Sequence, residues 1–213
     1  MTMASCQWPR KLLVIAGFTL GSFTLGSSSV AAKSKGEPLE NVALVAMHAY
    51  SSCLVDRNLT GAQRLLTLQP GSQEFNASAR RVALSQDTCI PRGSRLKLYG
   101  MVFSGDIAEA LIAHKYGADT VDDAAVKLAP GALNTIEAIG MCVARAKPAD
   151  VFALFATTPA SDAELAALKP TGDILPGCIP AGQTIKLNRP AVRAIYALGA
   201  YRLLAGNPAH PEG

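Results

Sequence analysis

The sequence predicts an all-α protein: a tandem duplication of a roughly four-helix unit, with one short strand after the second cysteine of each copy and a pseudo-two-fold relating the copies. Three observations predict this. The block Cys89-Ile90-Pro91-Arg92-Gly93-Ser94-Arg95-Leu96-Lys97-Leu98 returns 89 residues later as Cys178-Ile179-Pro180-Ala181-Gly182-Gln183-Thr184-Ile185-Lys186-Leu187. A cysteine stands 36 residues before each block, at Cys53 and Cys142. Aromatic residues are only 6% of the chain, while Ala, Leu and Val are abundant, a balance that favours packed helices over sheet. Fixed-period self-similarity is the signature of a repeated unit. Residues 42–117 align with 131–206 without a gap, and 16 of the 76 positions are identical. They include Pro70/Pro159, Ser72/Ser161, Leu65/Leu154 and Gly117/Gly206.

Residues 1–32 read as a secretory signal peptide. Arg10 and Lys11 are its basic start, residues 12–25 its apolar stretch, and Val30-Ala31-Ala32 a small-residue cleavage site. The apolar run falls short of the roughly 20 residues a membrane-spanning helix needs. Repeat 1 is then 33–117, a linker 118–130, repeat 2 131–206, and a loose tail 207–213.

Within each repeat the helix signals come in the same order. The first helix runs from near Pro38, a residue suited to a first turn, to about 57, and its counterpart spans 132–146. The second spans 60–68 or 148–157, and Pro70 or Pro159 stops it. The third follows Ser72 or the capping box Ser161-Asp162-Ala163-Glu164, where serine and glutamate satisfy each other's backbone. Pro170 and Gly172 shorten it in the second repeat. The Cys-Ile-Pro block makes a turn, since proline disfavours helix in the residue before it. The alternation in Leu96-Lys97-Leu98 and Ile185-Lys186-Leu187 then suits a short strand. The fourth helix spans 102–116 or 189–204, the latter opened by Asn188 as N-cap and by Pro190. Gly117 and Gly206 fit C-terminal caps.

Removing 1–32 takes away Arg10 and Lys11 but no acidic residue, so 18 Lys+Arg remain against 16 Asp+Glu. So balanced a charge leaves no footprint for nucleic acid. It also leaves four cysteines, Cys53, Cys89, Cys142 and Cys178. An even number behind an export signal favours disulfides in an oxidising compartment. Zinc sites bring ligands in close pairs, and here the spacing is 36 with no histidine nearby. Of the three possible connectivities, duplication favours the local one, Cys53–Cys89 and Cys142–Cys178.

Catalytic signals are sparse. His48, Ser52 and Asp56 share one face of the first helix by their spacing, but a ladder on one rod lacks the convergence of a working triad. Their counterparts are Glu137, Met141 and Arg145. Asp106 and Glu109 align with Ile195 and Leu198 and read as surface charges. Asp119, Asp122 and Asp123 are too scattered for an ordered cation loop. The last helix is apolar apart from Arg193 and Arg202. It reads as a core helix with two snorkelling arginines, or alternatively as a membrane-surface helix.

The spacing Cys-(x35)-Cys-[Ile/Leu]-Pro-x-Gly, followed by a short apolar strand and an Ala-rich helix, resembles a family of exported alphaproteobacterial proteins that carry the unit twice. The resemblance implies a periplasmic or secreted location and adds no catalytic residue. The function expected is a non-enzymatic binding or scaffolding module acting through the seam between the repeats. It would need no cofactor and no metal, and its partner would be a periplasmic protein or a small apolar ligand. The alternatives are a lipid- or membrane-surface binder and a hydrolase with its site near His48.

Overall fold

Local side chains set most helix boundaries. In the computed structural model, which describes residues 39–84, 87–90, 100–116 and 131–205, every regular element is helical. Helix α1 (Leu39–Arg57) carries Glu40 in its first turn and Arg57 in its last, both complementing the helix dipole. Asn58 opens α2 (Leu59–Leu66) by accepting the Gly61 N–H at 3.0 Å. Ser72 opens α3 (Gln73–Leu84) by accepting the Phe75 N–H at 3.0 Å. A 3-10 turn (Asp87–Cys89) follows, then α4 (Gly100–Leu111), which widens into a π-helical turn at Ile112–Tyr116.

The later helices repeat this chemistry. Asn134 accepts from the Glu137 N–H at the start of α5 (Thr135–Ala146). Pro148 occupies the first position of α6 (Pro148–Phe155), where its missing N–H costs nothing. Half of the expected capping box forms at α7 (Asp162–Leu168): Ser161 Oγ accepts from Glu164 N, while the Glu164 carboxylate accepts the N–H of Ala160, one residue before the cap, and the Ser161 N–H goes to the Thr158 carbonyl. A 3-10 turn at Lys169–Thr171 ends α7, as Pro170 and Gly172 imply. The short α8 (Leu175–Cys178) leads to α9 (Arg189–Ala205), whose cap Asn188 accepts the Ala191 N–H at 3.0 Å.

Helix α9 is the centre of the packing. Its main neighbours are α5 and α4, and α1 packs on α4. From Ala194 to Leu204 every α9 residue is buried. Ile195, Tyr196 and Leu203 meet Phe103, Ile107, Leu111, Ile139 and Leu154 in one core. Glycines permit the close approach. A Cβ at Gly140 of α5 would strike the Ile195 carbonyl, and one at Gly105 of α4 would strike Ala194.

Two disulfides pin the turns to the long helices. Cys53 of α1 bonds Cys89, and Cys142 of α5 bonds Cys178, each with Cα atoms 5.7 Å apart. This is the local connectivity. The expected strand at Ile185–Leu187 does not form. Ile185 and Leu187 turn to the core and Lys186 outward, so the alternation is kept, but the segment has no regular structure. Alternation reports which face is buried; a strand also needs a neighbouring strand to bond. The signal segment, Leu96-Lys97-Leu98, the linker, Gly117, Gly206 and the tail lie outside the described residues.

Candidate functional site

Two arginines inside an apolar helix need carboxylates, because an unpaired buried charge is prohibitively costly. Arg193 and Arg202 do not snorkel: they are only 4% and 8% exposed. Helix α9 is thus internal, and its guanidinium groups are satisfied within the fold.

Arg202 has the simpler arrangement. Its Nε and Nη2 donate to Glu137 Oε1 at 3.0 and 2.8 Å, and Nη2 also donates to the Leu66 carbonyl, the last of α2, at 3.1 Å. The other Glu137 oxygen accepts from the Leu133 N–H. One carboxylate therefore caps α5 and anchors α9.

Arg193 joins four elements. It grips Glu109 of α4 with two hydrogen bonds, Nε to Oε2 at 2.9 Å and Nη2 to Oε1 at 2.5 Å. Its Nη1 donates to Glu164 of the capping box and to Thr157 Oγ1, both at 3.1 Å. Its Nη2 reaches the Thr157 carbonyl at 2.9 Å and the Phe155 carbonyl at 3.4 Å. Glu164 also pairs with Arg189. On the far side of Glu109 lies His48 of α1. Its Nδ1 is 3.4 Å from Asp106 Oδ1 and its Nε2 is 3.8 Å from Glu109 Oε1.

Asp106 and Glu109 are therefore core residues, only 6% and 5% exposed, which corrects their reading as surface charges. Their partner Arg193 lies 84 positions from Glu109 along the chain. The cluster holds three carboxylates, two guanidinium groups and one imidazole, so it is neutral only while it keeps a proton. Burial alone would lower His48, but the Asp106 hydrogen bond and the charges of Glu109 and Asp106 outweigh burial and the opposing Arg193 charge, so the imidazole titrates above its ordinary range. Burial pushes the Asp106 and Glu109 carboxyls up, and their cationic neighbours only partly pull them back.

Two concavities reach the cluster: a very small one lined by Asp106, Glu109, Glu164 and Arg193, and a wider one beside His48. The wider one, a groove of about 320 Å³, is lined by His48, Glu109, Ala113, Phe152 and Phe155. The two rings meet edge to face, 5.7 Å between centroids. The π-helical turn supplies Ile112 and Ala113; such turns often mark functional positions. Ser52 is on the rim, but the hydrogen bond of His48 goes to Asp106, and Asp56 is exposed. The expected ladder along α1 is thus replaced by a pair between helices. Among the described residues no set of three or more His, Cys, Asp or Glu side chains is placed to hold a metal ion, and no helix is long and apolar enough to cross a membrane.

A sequence signal for this cluster existed. An arginine in an otherwise apolar helix and an acid in the helix aligned to it are candidates to pair, as Arg193 and Glu109 do. No protein-family model matches the chain, and no curated protein or solved structure does either.

Proposed function

We propose that this chain is an exported, periplasmic binding module that takes a small ligand in the His48 groove, at the seam where α6 of the second repeat meets α1 and α4 of the first. The observation that carries it is the groove itself: a partly exposed, charge-backed imidazole in one groove with two phenyl rings and a small residue. Pockets of this size with few polar groups are typical of ligand sites.

The duplication and its pseudo-two-fold belong to the same reading. Helices α2 and α6 start at 59 and 148 and end at 66 and 155, an offset of 89 at both ends. Helices α4 and α9 start at 100 and 189, the same offset. The turns Gln69–Ser72 and Thr158–Ser161 close with equivalent backbone bonds, and Gly71 and Ala160 both have positive φ. Paired disulfides and the resemblance to exported alphaproteobacterial proteins support the location. The intact mass of protein recovered from periplasm should lack about 32 residues.

Thermal unfolding against a panel of small ions and aromatic compounds tests the groove. A compound bound to the folded state raises the melting temperature. That rise should vanish in Ala113→Arg, whose side chain fills the groove. A compound that shifts both proteins equally is bound elsewhere. A hydrolytic reading rests on one observation, the Asp106-backed His48 facing a groove with Ser52 on its rim. It requires that Ser52→Ala abolish any ester hydrolysis by the purified protein.

A further inference from the structure

The Arg202 ion pair and the His48 groove occupy matching positions. Arg202 bridges Glu137 and the carbonyl of Leu66. Subtracting the offset of 89 from 202 and 137 gives Ala113 and His48, and adding it to 66 gives Phe155. All three of these residues line the one groove. Where one half of the molecule holds a guanidinium, the other has an alanine methyl and an open space.

Charge and shape at that space point the same way. Asp106, Glu109 and Glu164 exceed the two guanidinium groups by one negative charge whenever His48 is neutral, and Glu109 lines the groove. Phe152 and Phe155 offer ring surface, on which a guanidinium stacks well. The groups facing His48 are Asp106 and Glu109 from α4, with Arg193 of α9 beyond them; α6 and its C-cap present the uncharged Phe152, Phe155 and Ala156 to the groove.

We propose that the His48 groove binds a small alkylguanidinium ligand beside Ala113, the position aligned with Arg202, its cation set against the phenyl rings and Glu109, which supplies the acid because His48 stands where Glu137 does in the other half. This rests on the groove being a ligand site, as proposed above. Binding is linked to the His48 proton, because ligand and imidazolium are alternative cations for the same carboxylates. Affinity therefore rises with pH as His48 gives up its proton.

Titration calorimetry of the full chain with n-butylguanidinium decides this, with pentanoate as an anionic probe of similar length. The expected result is binding about fivefold weaker near pH 5.5 than near pH 8.5, in the range of ordinary coupling between sites. In His48→Gln the change should fall below about twofold. In Ala113→Arg, an exposed position that should tolerate the side chain, binding should be lost. Equal affinity in the native chain and Ala113→Arg, affinity that rises in acid, or no butylguanidinium binding at any pH overturns the proposal. Pentanoate bound in its place, and lost in Ala113→Arg, overturns the cation but keeps the groove. Neither probe binding overturns both.

Discussion

Gly105 of α4 lies so close to Ala194 of α9 that a side chain on the glycine would collide with the alanine Cα. The two positions are 89 apart, 194 against 105. Aligned residues that touch each other mark where a two-fold axis would pass, so this contact is the strongest support for the proposed symmetry.

The glycine contacts can be tested by methyl insertion. In an exposed helix Gly→Ala gains about 1 kcal/mol. At Gly105 and Gly140 the obstacle is backbone, which cannot swing aside, and overpacking costs about 1–3 kcal/mol. Each substitution should lower stability by about 2 kcal/mol in urea unfolding. A net gain at either site would mean that the helices are less tightly packed.

The disulfides should dominate stability. Each closes a loop of 36 residues, worth about 3.8 kcal/mol in the chain-entropy model, against typical domain stabilities of about 5–15 kcal/mol. Cys178→Ser should leave Cys142 as a free thiol and keep the Cys53–Cys89 bridge. Non-reducing peptide mapping reads this directly; a peptide linking Cys53 to Cys142 would contradict it.

Breaking the Arg202 pair should be severe. Glu137→Gln leaves a buried guanidinium without its counter-charge and should cost about 3–5 kcal/mol. Replacing both partners, as Glu137→Leu with Arg202→Met, should recover much of that loss, since no orphaned charge remains. A double-mutant cycle in urea measures the difference.

Stability should fall as pH rises. His48, Asp106 and Glu109 all hold protons more tightly in the folded state than in the unfolded one, and a state that binds more protons is favoured by acid. The His48 contribution is fully present below its ordinary value of 6.5 and disappears as pH climbs through its raised folded value. Urea midpoints should therefore decline as pH rises above about 6.5 in the native chain. His48→Gln should flatten that decline; an unchanged slope would place the linked proton elsewhere.

Ala160 sits in a left-handed conformation, φ 64°, where its counterpart Gly71 has φ 85°. Ala160→Gly should relieve strain and stabilise the protein by about 1 kcal/mol, read as a higher melting temperature.

Features set by near neighbours in sequence were legible. Ser72, Ser161 and Asn188 cap helices through bonds only three residues long, and the cysteine pairing followed from the common spacing. The cluster was not legible in the same way. Glu109 meets an arginine 84 positions away, so its burial depends on how α4 crosses α9, and alignment with Leu198 concealed that. The segment Ile185–Leu187 failed differently: its pattern reports an inner and an outer face but says nothing of a bonding partner. His48 lay on the expected face of α1, yet its acid came from another helix.

Helix α9 follows every other described helix along the chain, and α4, α5 and α6 all pack on it. Synthesis delivers the N-terminus first, so α1–α8 emerge before α9 does. Until α9 is made, Glu109, Glu137 and Glu164 lack the arginines that pair with them in the folded chain. Completion of the C-terminal helix is then a single late event that neutralises three carboxylates and closes the core, and a chain truncated before Arg189 remains an open substrate for proteases.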